Sequence, residues 1–394
     1  MATQPTNPPA NAQQAPAAKA PATVPFKCGT QNTTNLDGYS QTVALSSTAA
    51  PTLPNYNPSV NSYLRGVWIT AGATTSGNSA TVTFLPDAPF SLFATVSFLD
   101  TQQRPIIQVT GFQLAMIRKY GGYFAQGDPR MDSSYVATTG GGGTGGSFNF
   151  TLWVPLEVNG TGIGSALNKN SAQTYTLAFT MALSTAIYGT APTTLPSVTV
   201  TVMEDGFWAP SETDVSGAPL AQGPSVSNVW SYWLQGTYSS INGAQQIQLP
   251  TGLGEAIRQK QFYAYDVSNG LRTTGDTDFP TTVQFLYKGT QLKNWPKSFW
   301  KTAMSMNYGY TAANAGTATT TDTPNSIENG LYVLFQFAKN QALEVGNGPA
   351  WSLLMTDQGD QFQFVGTCNG NMNLLDLTNY IAVAGSPAQL RAAS

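Results

Sequence analysis

Beyond residue 62 the chain breaks into short runs in which apolar and polar side chains alternate. The clearest is Ser197–Val202: Val198, Val200 and Val202 point one way and Ser197, Thr199 and Thr201 the other, the period of two that a half-buried strand imposes. Phe148, Phe150, Leu152 and Val154 make a second such face, and Tyr175, Leu177 and Phe179 a third. The style continues in 283–287, 331–337 and 361–365, so strands are predicted almost to the end. Helical candidates are few and short. One runs from Gly254 to Tyr265 behind the turn-like Pro250–Leu253, the other over Trp295–Met306, with Asn294 placed to cap and Pro296 near the first turn. Two polar stretches, Thr138–Gly146 and Tyr308–Asn329, read as exposed tower or rim loops, since long structureless connections are uncommon in compact domains.

Composition agrees with an all-β chain and adds a domain count. Charged residues are 9 % of the 394, far below the usual share of about 25 %. Soluble helices cover their exposed faces with Glu, Lys and Arg. Those residues are scarce here, while Gly (38) and Pro (25) supply turns. Single cores stop growing near ~250–300 residues. Two domains are therefore expected, 26–225 and 226–394, behind an arm of residues 1–25. The arm carries prolines at 5, 8, 9, 16, 21 and 25 and one charge, Lys19, and cannot fold alone. It reads either as a frayed tail or as a segment that orders against a neighbouring subunit or an inner layer. A weak internal echo suits two copies of one sandwich: Ala94–Gln103 and Thr281–Gln291 share a Val-x-Phe-Leu core.

Chemistry is conspicuous by what is missing. With no histidine the chain lacks the usual general base and the commonest metal ligand. A net charge of −3 with no basic block leaves no footprint for direct nucleic-acid binding. Cys28 and Cys368 have no metal spacing and read as two free, buried thiols, with a disulfide between them as the alternative. No apolar run approaches the ~20 residues of a membrane span, and the start has no export signal, so a soluble product in the cytoplasm of a bacterial host is expected.

Each motif has a plainer reading. Gly140–Gly146 lacks the Lys-Ser/Thr of a phosphate loop and reads as a flexible connection. Ser298 and Lys301 match an S-x-x-K spacing without its partner motifs. Asp266, Asp276 and Asp278 could offer oxygen ligands to calcium, but a solvated acidic loop fits better. Glu204 and Asp205, beside Phe207 and Trp208, resemble a sugar site, yet adjacent strand residues face opposite ways. Asn32, Asn149 and Asn159 fit the glycosylation pattern, which means nothing without export. Trp208, Trp230, Trp233, Trp295 and Trp300 read as packing at the domain junction or between subunits rather than a ligand box. No catalytic, cofactor-binding or metal residue is nominated, and no cofactor is called for.

Several segments nonetheless resemble one family, the double jelly-roll major capsid proteins of tectiviruses, phages with an internal membrane. They are Tyr63–Thr70, Thr81–Phe84, Phe90–Phe98 and Asp100–Arg104, then Gly146–Leu156, then Ser197–Met203 with the return through Ile247–Pro250. Trp153-Val-Pro-Leu156 is the most specific element, and the likeness covers most of residues 60 to 390. The Pro/Ala-rich arm departs from the family's Gln-rich, helix-compatible opening. The resemblance implies two tandem jelly rolls with long surface loops and few short helices. It also implies a homotrimeric, pseudo-hexagonal capsomer in an icosahedral virion, no enzyme activity, and minor vertex and capsid proteins as partners, with contact between the arm and the internal membrane. A surface β-sandwich that binds carbohydrate is the alternative, and a polysaccharide-cleaving enzyme a third reading.

Overall fold

The structure is a computed structural model that describes residues 32–59, 62–76, 81–121, 135–157, 164–168, 174–208, 229–251, 255–308, 329–334, 354–356 and 359–383. The arm, Cys28, Asn159, the boundary at 225/226, nearly all of the Tyr308–Asn329 loop and residues 335–337 lie outside them.

The first half is two facing sheets. One runs β1 (Asn32–Ala44), β11 (Ser197–Trp208), β2 (Ser62–Ala73), β7 (Phe148–Pro155), β6 (Val136–Ala137), with β8 (Ala166–Asn168) also on β2. The other holds β5 (Pro105–Val109), β4 (Phe93–Leu99) and β9 (Thr176–Met181), while β3 (Thr83–Phe84) and β10 (Tyr188–Thr190) form a small ribbon. Alternation decides which faces meet. Val198, Val200 and Val202 are fully buried, and the rings of Phe150 on β7 and Phe93 on β4 touch edge-on at 6.2 Å. Tyr39 on β1 likewise reaches Phe179 on β9 at 6.0 Å. Trp153 is buried too, although it lies out of phase with its strand's core face. It packs on Trp68 at 4.5 Å and over Gly66, where any Cβ would overlap its ring.

The second half is built on a long ribbon of β12 (Val229–Gln248) and β18 (Phe362–Val383). The ribbon bulges between Tyr238 and Gly243 and folds back there, so that the Tyr238 hydroxyl donates to the carbonyl of Gln248 at 3.0 Å. Its two arms thereby enter different layers. The arm with Trp230–Tyr238 continues through β18 to β13 (Glu255–Asp266), which also pairs β16 (Leu331–Leu334) and β17 (Leu354–Thr356). The other arm, Gly243–Gln248, continues through β18 to β14 (Thr282–Tyr287) and β15 (Thr290–Pro296). Phe262 on β13 crosses to Phe285 on β14 at 5.6 Å and Phe364 on β18 at 5.8 Å, and Trp300 closes this aromatic core. The echoed Val-x-Phe pairs fall at matching places: Val96 and Phe98 on β4, Val283 and Phe285 on β14, all buried.

Three α-helices occur among the described residues: α1 (Gly111–Tyr120), α2 (Arg272–Asp278) and α3 (Lys297–Tyr308). The helix expected over Gly254–Tyr265 is instead strand β13. Glu, Ala, Gln and Lys favour helix locally, but here pairing on both edges overrides that weak preference. The helix expected over Trp295–Met306 exists as α3, shifted forward, because Asn294–Pro296 complete β15. Helix α1 carries a full capping box: Thr110 Oγ accepts from the Gln113 N–H, and the Gln113 side chain accepts from the Thr110 N–H.

Candidate functional site: the seam between the halves

The halves meet along β13 and the C-terminal end of α1. A helix ends with carbonyls that have no partner inside it. Here the second half supplies partners: Gln259 donates to the Tyr120 carbonyl at 2.5 Å and Arg258 to the Gly121 carbonyl at 2.7 Å. The bulge between Ile257 and Gln259 turns two successive side chains toward α1, which a regular strand could not do. Arg258 also suits the negative end of the helix dipole and is fixed by Asn379 at 2.5 Å. Gln261 and Tyr263 extend the chain of contacts, Tyr263 donating to Gln261 at 2.6 Å and Gln261 to Gln259 at 3.3 Å.

A second anchor lies at Asp87 of the first half. Its carboxylate takes Arg272 Nε at 2.8 Å and the Tyr265 hydroxyl at 3.4 Å, and the Arg272 guanidinium lies 4.4 Å from the Phe112 ring centre. Strand pairing adds a third link, the parallel bridge Trp233 to Ile107, and Trp230 packs on Tyr175 at 5.9 Å. Buried apolar residues of both halves form one contiguous cluster.

The sequence motifs fall elsewhere and resolve into structural contacts. Asp276 is not in a solvated loop. It sits on α2, takes Lys301 at 3.0 Å, the Tyr332 hydroxyl at 2.6 Å and the Gly330 N–H at 2.7 Å, and so ties α2, α3 and β16 together. Burial alone would raise its carboxyl pKa; the Lys301 charge and these donors outweigh that and bring it down to about 2. Asp266 accepts from the Ser268 N–H, and no group of three or more metal-type ligands occurs among the described residues. Glu204 holds Tyr56 and Ser59, while Asp205 faces Arg65 at 3.6 Å, so the two carboxylates serve separate contacts. Lys301 being engaged by Asp276, the Ser298–Lys301 pair does not form a nucleophile and base. Gly140, Gly142 and Gly143 adopt positive φ in open space, an exposed turn that only glycine enters cheaply.

The five tryptophans do not form one cluster. Trp230 and Trp233 belong to the seam, Trp295 and Trp300 to the second core, and Trp208 is 46 % exposed. Cys368 is a free, buried thiol, its pKa pushed by burial up to about 11. A cleft of about 530 Å³ is lined by Gln248, Leu249, Pro250, Thr251, Asp360 and Gln361. Its Gln248 and Thr251 side chains donate to the Asp360 carbonyl, leaving little to converge on a ligand.

Sequence reasoning missed the seam residues Arg258, Gln259, Arg272 and Asp87, and with them α1. The signal for α1 was present in Thr110-x-x-Gln113 ahead of Leu114–Ile117. For β13 alternation offered no cue, since four polar residues, Arg258–Gln261, run directly into Phe262–Tyr265.

Two β-sandwiches in tandem, joined by such a seam and carrying few helices, make a double jelly roll. The same architecture is found in the crystal structure of the major capsid protein of Sulfolobus turreted icosahedral virus: TM-score 0.57 at 11 % identity, over 90 % of this chain and 97 % of that one. The quasi-atomic capsid of the virus PBCV-1 aligns with TM-score 0.52 at 12 % identity, over 91 % of this chain and 97 % of that one. No protein-family model and no curated protein sequence matches the chain.

Proposed function

We propose that this chain is the major capsid protein of an icosahedral virus, and more narrowly of a tectivirus-like phage with an internal membrane. The observation that carries the reading is the extent of the likeness to a viral capsid protein: nine-tenths of this chain and 97 % of the other correspond, so the whole fold is shared and not one sandwich. In this reading residues 26–225 and 226–394 are the two jelly rolls, and three copies close into a pseudo-hexagonal capsomer. Symmetric homo-oligomers are the common solution for such assemblies. The capsomers tile the virion shell together with minor vertex proteins, and the arm of residues 1–25 faces the membrane. The narrower reading rests on the matched segments, Trp153–Leu156 above all. The role is structural, with no catalytic step.

Purified full-length protein tests this directly. Sedimentation is expected to give a species of three 41.7 kDa chains, and negative-stain microscopy hexagonal outlines. A chain that stays monomeric at high concentration overturns the proposal.

A further inference from the structure

We infer that the rim formed by β12 is a contact between copies of this chain; the inference rests on the capsid reading and deepens it. Among the described residues, β12 beyond Trp233 has a strand partner on one side only. That partner is β18; on the other side β5 meets β12 at the single pair Trp233 and Ile107. The open side therefore offers a row of backbone donors and acceptors to another strand.

Natural edges are blunted by lysine, proline or inward charge. The opposite edge of the layer that holds Gly243–Gln248 has such devices, since β15 carries Lys293 and ends at Pro296. The β12 rim has none until its strand is over. No Asp, Glu, Lys or Arg occurs anywhere from Val215 to Gly254. Its exposed side chains include Gln235, Thr237, Ser239, Asn242, Ala244 and Gln246, with the core-side Leu234, Tyr238 and Ile241 only partly covered. The bulges between Tyr238 and Gly243 split the rim into two straight runs, so pairing is confined to those runs.

The chemistry selects the occupant. A neutral partner with an extended backbone is required, and an identical copy supplies both without like-charge repulsion. The N-terminal arm is a poor strand for this purpose. Its six prolines remove donors and leave one uninterrupted run longer than four residues, Ala10–Ala15, which holds no β-branched or aromatic side chain.

The test uses the full chain with two exposed positions charged. Thr237→Lys with Ala244→Lys, and separately Thr237→Glu with Ala244→Glu, are expected to weaken self-association at least tenfold by sedimentation while leaving the melting temperature unchanged. Mixing the Lys and Glu proteins is expected to restore association, which an effect inside one chain would not do. Association of both variants equal to the unmodified chain overturns this inference alone. So does a fall in melting temperature with association intact, which places a segment of the same chain on the rim. Variants that dissociate alone and stay apart when mixed also overturn it. An unmodified chain that never associates overturns both this inference and the capsid reading.

Discussion

Lys260 and Asp376 lie 2.7 Å apart with no side-chain exposure, and Lys260 also donates to Thr378 at 2.5 Å. Two charges taken out of water in this way cost much of what their attraction returns, so the pair says more about register than about net stability. Lys260→Met, which strands the carboxylate, is expected to lower unfolding free energy by about 3–5 kcal/mol. Adding Asp376→Leu should recover most of the loss, and denaturant titration of the three proteins measures it. Asp276 behaves differently because its pKa is depressed, to about 2. Its unfolded value near 4 is higher, so its contribution is complete above pH ~4 and is lost as pH falls toward 2. Asp276→Asn should flatten the acid limb of the stability curve over that window. None of these partners was legible beforehand, because a lysine in sequence looks the same whether it faces water or Asp376.

At the scale of elements, what could be read was what alternates. Strands β7, β9, β11 and β14 bury one face, and that asymmetry writes a period of two into the chain. Strand β13 could not be read in this way, since it buries Arg258, Gln259, Lys260 and Gln261 in succession between neighbours on both edges. Helix α1 was missed because nearly all of it is buried, so no polar face marks its period. Its start is nonetheless fixed by the Thr110 and Gln113 box, and Thr110→Ala should cost about 1 kcal/mol. Gly66 sets a different element in place. Gly66→Ala would drive a methyl into the Trp153 ring, and the resulting overpacking should cost roughly 1–3 kcal/mol, read as a lowered denaturation midpoint.

For the whole molecule, the decisive feature is that the division into halves is a matter of topology more than of mechanics. Separate domains of this size ordinarily unfold separately. Here α1 belongs to the first half by sequence, but its last carbonyls are satisfied by Arg258 and Gln259 of the second. Asp87 holds Arg272 across the same seam, and one apolar cluster runs through both sides. Opening the seam would exchange these contacts for water, a net loss of about 0.5–1.5 kcal/mol for the neutral hydrogen bond and about 1.5–3 kcal/mol for each bond made by an arginine. It would also expose the apolar cluster that spans both halves. The intact chain is therefore expected to unfold in a single calorimetric transition, with the calorimetric and van't Hoff enthalpies equal, when protein concentration is held fixed so that association does not shift the midpoint. Arg258→Ala with Gln259→Ala should uncouple the halves and split that transition in two. Two resolved transitions in the unaltered chain would show instead that the sandwiches are mechanically independent and that the seam merely touches.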